Sequence, residues 1–407
     1  MATDFRGFVT RVEPEALEQY VRSVDGGQAS QIVWDGDADQ RFDGIGKHFP
    51  RHPKIWPVFE QAEAFKQTGA RSALRSVLQG KAELLGAFDA MAASNLACAL
   101  WLAQIDHERF ENAVQTLNLS RGIGKRSWDA FYLKCDNKPG FSANLGEQSH
   151  FLRLAKEAIH LAKHAIPDGR LKARVFERLG ETVGSHSQRP WVQASIYAEG
   201  PYEARESISD DDEIVSQIDR RLDPGAVLYD PGAATIEVVV LGGEKVRRAL
   251  AEAFCKAFLS VPVELTRIVR RDIDFTSFKS PFRPPIEASD PIEDVFVDEL
   301  RLTPPDGEGG LITLELRGKR GQPVAIFDTS QAWFEGRSPI GLEGWAVVSV
   351  RLRFIFRGIE ENSRRRVRTV ELRAPNRTNL QEHAEEDHIA IRQLLERWAI
   401  MKSEAND

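Results

Sequence analysis

The chain has few cysteines and no long apolar run. Its three cysteines, Cys98, Cys135 and Cys255, are far apart and odd in number, so they match neither a disulfide framework nor a zinc-knuckle spacing. No stretch of about 18 uninterrupted apolar residues occurs, so no membrane-spanning helix is expected. The first residues lack a basic start followed by an apolar run, so no secretory signal is expected either. These absences favour a cytoplasmic protein without membrane contact.

Signatures of the common enzyme classes are also absent. The chain has no G-x-S-x-G turn, no H-E-x-x-H, no C-x-x-C and no phosphate-binding Gly-Lys-Ser/Thr. The acid-x-lysine pattern of metal-dependent nucleases occurs as Asp136-Asn137-Lys138, in a loop with proline and glycine. His160 and His164 could share a helix face, but Leu161 stands where the zinc-protease motif needs glutamate. We therefore assign no catalytic residue, no metal site and no cofactor.

The length of the chain suggests two domains. It has 407 residues, 42% of them apolar and 28% charged, as is typical of globular proteins. In the first half, apolar residues recur at spacings of three and four, which predicts an all-helical domain over residues 1–187. The predicted helices are Pro14–Val24, Ile55–Phe65, Ala73–Ala87, Ala87–Ile105, Glu108–Leu117, Gln148–Ala165 and Leu171–Leu179.

After residue 187 the pattern changes to short alternating runs between turns. Residues 188–407 are therefore expected to form a mixed, mostly antiparallel sheet domain, which makes the fold class α+β. Strands are predicted at Trp191–Tyr197, Thr235–Leu241, Val263–Val269, Asp294–Leu302, Leu311–Leu316 and Val324–Phe327, with a helix at Glu244–Leu259. Asp223-Pro-Gly225 and Asp230-Pro-Gly232 are read as turns. A C-terminal docking helix is predicted over residues 379–402, with Trp398 as its anchor.

An arginine-rich segment is the feature that points to a partner. The formal net charge is -7, yet nine arginines lie between residues 351 and 377, opposed there by three glutamates. Period-two alternation predicts a half-buried strand and a return strand, which together form a hairpin over residues 345–373. Arg351, Arg353 and Arg357 fall on its exposed side, beside Arg364 and Arg365 of the turn. Because guanidinium groups suit phosphates and carboxylates, this surface is a candidate site for nucleic acid or an acidic protein.

The same arginines have a plainer interpretation. Charge on a strand keeps it solvated and protects it from edge pairing. Glu371 within the hairpin and acids of the following helix could also pair with these arginines. The helix acids are Glu382, Glu385, Glu386 and Asp387.

A second basic segment surrounds two glycines. Leu119-Ser-Arg-Gly-Ile-Gly-Lys-Arg126 resembles the glycine turn of a helix-hairpin-helix motif, in which backbone N–H groups meet a DNA phosphate. Arg121, Lys125 and Arg126 flank the glycines and would favour an anion. A plain loop between helices is the alternative, because a single G-x-G is a weak signal.

Three functions follow as hypotheses. The first is a non-enzymatic cytoplasmic binding or adaptor protein that presents the arginine-rich hairpin to nucleic acid or an acidic partner, within a protein complex. The second is a structural subunit of a multiprotein complex without nucleic-acid contact. The third is a hydrolase or nuclease with a dispersed site. What separates the first two is how many hairpin arginines have partners inside the chain.

Overall fold

The computed structural model describes residues 4–66, 69–122, 128–135, 140–162, 169–182, 185–208, 214–268, 273–304, 312–315, 325–357, 366–374, 377–380, 383 and 385–401. The helices are α1 Phe5–Arg11, α2 Pro14–Val24, α3 Gly26–Ala29, α4 Ala38–His48, α5 Trp56–Ala62, α6 Ala70–Ser76, α7 Ala82–Ala90, α8 Asn95–Ile105, α9 His107–Gly122, α10 Leu145–Ile159, α11 Glu244–Phe258, α12 Ala325–Trp333 and α13 Glu385–Arg397. The strands are β1 Trp128–Lys134, β2 Leu171–Thr182, β3 Ser185–Ile208, β4 Ile214–Asp230, β5 Thr235–Val239, β6 Glu264–Arg267, β7 Ile292–Thr303, β8 Ile312–Glu315, β9 Ala346–Phe356, β10 Val367–Arg373 and β11 Arg377–Thr378. This order confirms the α+β class.

Helices α1 to α9 surround one hydrophobic core. Phe8, Phe59, Leu100 and Phe110 are fully buried in it. The single buried helix predicted over residues 87–105 is instead divided between two helices, since α7 ends at Ala90 and α8 begins at Asn95. Ser94 caps the second of them, accepting a hydrogen bond from the backbone N–H of Ala97 at 3.2 Å.

The first sheet has the strand order β2-β3-β4-β5-β1-β6. Helices α10 and α11 cover one of its faces, where Tyr229 and Val238 pack with Phe254. Helix α9 lies on the other face: Leu119 packs with Trp128 there. The hydroxyl of Tyr197 also donates a hydrogen bond to Gln115 of α9. The helical front and this sheet therefore share contacts.

The structure also corrects two predicted elements and one predicted turn. The predicted helix Leu171–Leu179 is wrong, since these residues form most of β2 beside β3. Its residues are good helix formers, so strand pairing overrides their local preference. The predicted strand Val324–Phe327 is also wrong, because α12 begins at Ala325 and buries Ile326 and Phe327. Asp223-Pro-Gly225 is not a turn but lies inside β4, paired with β3.

The chain divides into two compact units. One comprises Met1–Glu181 and Ser187–Ile268, and the other comprises Thr182–His186 and Val269–Asp407. The main division along the chain follows Ile268, whereas the sequence pattern suggested residue 187. Because β1 and β2 are strands within residues 1–187, that segment is not all-helical.

The second unit is built on an antiparallel sheet with the order β11-β10-β9-β7-β8. The strand and return strand predicted within residues 345–373 are confirmed as β9 and β10. Their inward side chains, among them Leu352, Phe354 and Leu372, form a core with Ile391 and Leu395 of α13. The predicted C-terminal docking helix is thus present, although it is shorter than residues 379–402.

Candidate binding site on the arginine-rich hairpin

Strands β9 and β10 form the arginine-rich hairpin, with Val367 paired to Ile355 and Arg373 paired to Ser349. Successive side chains of a strand point to opposite faces. On β9, Val350, Leu352 and Phe354 therefore enter the core, whereas Arg351 and Arg353 point to the other face. The period-two prediction for these two arginines agrees with this placement.

Arg351 and Arg353 contact acids of the neighbouring strand β7. Arg351 lies 2.7 Å from Glu299, and Arg353 lies 2.9 Å from Asp298. The ladder between β7 and β9 has a bulge between Val297 and Glu299. A bulge adds one residue to a strand and lets two consecutive side chains serve one face. Asp298 and Glu299 therefore both reach the arginines.

Both acids are almost completely buried, with 3% of each residue exposed. Glu299 also accepts a hydrogen bond from Arg301 at 2.8 Å. A carboxylate that leaves water loses hydration worth several kcal/mol, which nearby cations must offset. Arg351 and Arg353 are thus counter-charges for buried carboxylates of their own sheet.

Arg357 lies at the end of β9 and has different partners. Its Nε donates to the main-chain oxygen of Asp290 at 2.9 Å, and its Nη2 donates to that of Glu287 at 3.4 Å. The carboxylate of Asp290 binds Arg397 of α13 at 2.5 Å. Within the described residues, no carboxylate pairs with Arg357, which is exposed. Its charge is therefore the least neutralised of those described on the hairpin.

Arg366, just before β10, and Arg368 of β10 turn towards the helix side of the sheet. Arg368 donates from Nε to Asp387 of α13 at 2.6 Å, and Asp387 is only 1% exposed. Arg366 lies 3.2 Å from Glu386, and its guanidinium lies over the ring of Phe356. The suggestion that Glu386 and Asp387 neutralise the hairpin is thereby confirmed.

The remaining predicted residues are only partly covered by the structure. Arg364 and Arg365 lie outside the described residues, as do Lys125 and Arg126. Arg121 lies in the last turn of α9, and its side chain is outside the described set. The structure thus brings Arg351 and Arg353 together on one face and places Arg357 at the hairpin end. The predicted glycine-turn site is not tested.

Nearby ionisable groups are held in one charge state. The hydrogen bond from Arg397 lowers the pKa of Asp290. Burial lowers the pKa of His383, whose Nε2 lies 3.1 Å from the main-chain oxygen of Thr369. Near neutral pH, Asp290 is therefore a carboxylate and His383 is uncharged.

Two further observations concern the described part of the chain. It contains no group of three or more His, Cys, Asp or Glu side chains placed to hold a metal ion. Its helices are all too short or too polar to cross a bilayer.

No protein-family model matches the chain, and no curated protein matches it.

Sequence reasoning missed the pairing of the hairpin with β7. The signal was Val297-Asp298-Glu299-Leu300, two acids inside an otherwise apolar strand. Such acids are rarely buried without cations.

Proposed function

We propose that this chain is a non-enzymatic adaptor or structural subunit of a protein complex, whose arginine-rich hairpin stabilises its own domain. One observation carries the proposal: the six hairpin arginines with described side chains all have partners inside the chain. These partners are Glu299 for Arg351, Asp298 for Arg353, main-chain oxygens for Arg357, Glu386 for Arg366, Asp387 for Arg368 and Glu371 for Arg373.

Internal pairing reduces what these arginines can offer to a ligand. A phosphate would have to compete with carboxylates that are already in place and, at Asp387 and Glu299, buried. Removing the cation from a buried carboxylate is strongly unfavourable. The hairpin arginines are therefore better suited to stabilising their own sheet and its contact with α13 than to binding an external polyanion.

The non-enzymatic part of the proposal has support of the same kind. Burial would raise the pKa of Asp129, but hydrogen bonds from Arg247 and Arg267 outweigh it and lower that pKa. The pKa of Asp290 is lowered by Arg397. A general acid or base works best with a pKa near the working pH, so these carboxyls suit permanent ion pairs. A metal-dependent cleavage screen tests the hydrolase or nuclease alternative, and turnover of any substrate would overturn this part.

A second candidate function concerns the hairpin end alone. Arg357 is exposed and donates only to main-chain oxygens among the described residues. Arg364 and Arg365 belong to the connection that follows it in sequence. In this alternative, these three arginines contact nucleic acid or an acidic protein, whereas Arg351 and Arg353 remain structural.

Fluorescence anisotropy with labelled RNA, labelled duplex DNA and labelled polyglutamate separates the two candidates. Under the leading proposal, none of the probes binds in a salt-dependent manner. Under the second, binding falls steeply with salt and is lost in R357A/R364A/R365A. The matched control is R351A/R353A, which should lower stability and leave any binding unchanged. Salt-dependent binding that R357A/R364A/R365A abolishes would overturn the leading proposal.

The same proposal assigns the protein to the cytoplasm. Cys98, Cys135 and Cys255 are all free thiols. Free thiols fit a reducing compartment better than an oxidising one.

A further inference from the structure

A small cavity lies on the side of the first sheet that α10 and α11 cover. Its lining comes from the end of α10, the start of β2, strands β3 and β4, and the two residues that follow β5. Its volume is about 40 Å³, which is room for about three water molecules. The lining residues all lie within the described part of the chain and all belong to the first unit.

Apolar side chains make up one part of the lining. On β3, Ala198 has the same parity as Ala194 and Ile196, which pack with α10 and α11, so its side chain points to the same side. The apolar lining residues are Ile159, Ala162, Leu171, Ala198, Val240 and Leu241. Apolar walls with a few placed polar groups are typical of sites for small molecules.

The two carboxylates in the lining already have counter-charges. Glu199 accepts hydrogen bonds from Nε of Arg170 at 2.7 Å and from Nη1 of Arg220 at 3.2 Å. Asp223 accepts hydrogen bonds from Nε of Arg221 at 3.0 Å and from its Nη2 at 3.3 Å. Hydrogen bonds between ionised groups of this kind are strong. The negative charge of both lining acids is therefore offset within the chain.

Lys156 supplies a positive charge that no acid of the described residues offsets. Its ammonium group lines the cavity from the last turn of α10 and forms no ion pair within the described part of the chain. The side chain is only partly exposed, so water screens its charge less than at the surface. His160, four residues later on the same side of α10, also lines the cavity and can donate a hydrogen bond.

We propose that this cavity binds a small monocarboxylate of about two to four carbon atoms. The carboxylate pairs with Lys156 and accepts a hydrogen bond from His160, and the alkyl group packs against Leu171, Ala198 and Val240. The volume excludes larger metabolites such as nucleotides and sugars, since it holds only a few heavy atoms. An ion with oxygens on every side fits less well, because burying a polar atom against apolar walls is unfavourable.

A ligand of this size binds weakly. Propionate has few atoms with which to make contacts, so we expect a dissociation constant of about 1 mM. The cavity belongs to the first unit, whereas the arginine-rich hairpin of the proposed function belongs to the second. Failure of either proposal therefore leaves the other unaffected.

Ligand-observed NMR of the full chain with propionate tests the site. Saturation transfer to the ligand should follow a dissociation constant of about 1 mM. Propionamide has nearly the same shape without the charge, and propylammonium carries the opposite charge. Both should bind at least about tenfold more weakly than propionate, because neither forms an ion pair with Lys156. Sulfate at the same concentration should not displace propionate, since it has no alkyl group for the apolar walls.

The variant K156M removes the charge but keeps an unbranched side chain, so it should weaken propionate binding at least about tenfold. K156R keeps the charge and should stay within about threefold of the parent. The matched control is K256M, at an exposed position of α11 outside the cavity lining, and it should leave binding unchanged. A198V keeps every charge and suits a strand but fills part of the cavity, so it should also weaken binding at least about tenfold.

Circular dichroism checks that each variant is folded, and K156M compared with K256M decides the result if A198V does not fold. Absence of saturation transfer to propionate at about 20 mM overturns the proposal. Equal binding of propionate and propionamide also overturns it, as does K156M binding propionate as tightly as K256M. A folded A198V with the affinity of the parent places the ligand outside this cavity and overturns it too.

Discussion

The carboxylate of Glu299 lies 2.7 Å from the guanidinium of Arg351, directly across the ladder that joins β7 to β9. Only 4% of the glutamate side chain is exposed. Arg301 approaches the same carboxylate at 2.8 Å. A buried carboxylate is tolerated only when cations replace its lost hydration. The arginine on this face of the hairpin therefore supplies a counter-charge for the buried acid of β7, the neighbouring strand.

Replacing Arg351 should therefore weaken the fold. Among the described residues, R351A leaves Arg301 as the one cation paired with Glu299, so we expect the free energy of unfolding to fall by about 2–3 kcal/mol. The matched control on the same hairpin is R373A, whose side chain is 50% exposed and pairs with Glu371. That exposed pair should be worth about 0.5 kcal/mol. Urea denaturation at neutral pH measures both values, and equal costs would contradict the assignment.

The parts of the fold with a strong period could be predicted. Strands β9 and β10 follow from alternation, because one side of each lies on a core and the other does not. Strand β2 could not be predicted, since its residues favour a helix and only pairing with β3 makes them extended. The interior of β4 was misread for a related reason. Asp223-Pro-Gly225 has turn chemistry, yet β3 holds it in a ladder.

Three of the five carboxylates that pair with hairpin arginines, Glu371, Glu386 and Asp387, could also be predicted. Glu386 and Asp387 follow the hairpin closely in sequence, so their pairing with Arg366 and Arg368 was a local expectation. Asp298 and Glu299 are more than fifty residues before their partners, and a β-bulge decides which face they serve. Sequence periodicity carries no information about such a bulge.

Asp129 should make stability depend on pH in the acid range. It is 5% exposed, bonded to Arg247 and 2.8 Å from Arg267. Burial alone would raise its pKa, but the two arginines lower it below 3.8. The pKa of Asp129 is lower in the folded chain than in the unfolded chain, so the ionised carboxylate stabilises the fold fully at pH values above the unfolded pKa. This stabilisation is lost as pH falls through the folded pKa.

The variant D129N tests this dependence. At neutral pH it should cost about 3 kcal/mol, because Arg247 is left buried without its carboxylate. The difference in the free energy of unfolding between parent and variant should be constant at higher pH and should shrink as pH falls below about 4. Urea titrations across that range measure this difference. As a control, E157Q, at a position of α10 whose side chain is 64% exposed, should stay within about 0.5 kcal/mol of the parent. A difference that widens in acid would refute the assignment.

The three thiols should differ in reactivity. Burial raises the pKa of Cys255 to about 12 and also raises that of Cys98. Since the thiolate is the nucleophile, both should react slowly with iodoacetamide near pH 8. Cys135 is only partly buried and should be modified first. Peptide mass spectrometry after timed labelling measures the order, and unfolding in urea should make all three equivalent. Cys255 reacting as fast as Cys135 in the folded protein would contradict its burial.

Trp398 should anchor the C-terminal helix, as its place just after α13 suggests. Its ring stacks on Phe354, with centroids 6.1 Å apart, and its Nε1 donates to the main-chain oxygen of Pro285 at 2.9 Å. W398A removes the ring and the hydrogen bond, so it should lower the free energy of unfolding by about 3 kcal/mol. W398F keeps the stacking and should lose about 1 kcal/mol.

Trp333 supplies the matched control, because it is 61% exposed at the end of α12 in the same unit. W333A should change stability by about 0.5 kcal/mol at most. Circular dichroism should follow the urea transitions, since tryptophan fluorescence changes with each of these variants. If W398A and W333A cost the same, the ring of Trp398 does not hold α13 against the sheet. The docking of this helix then rests on its buried Ile391 and Leu395 and on the ion pair between Arg368 and Asp387.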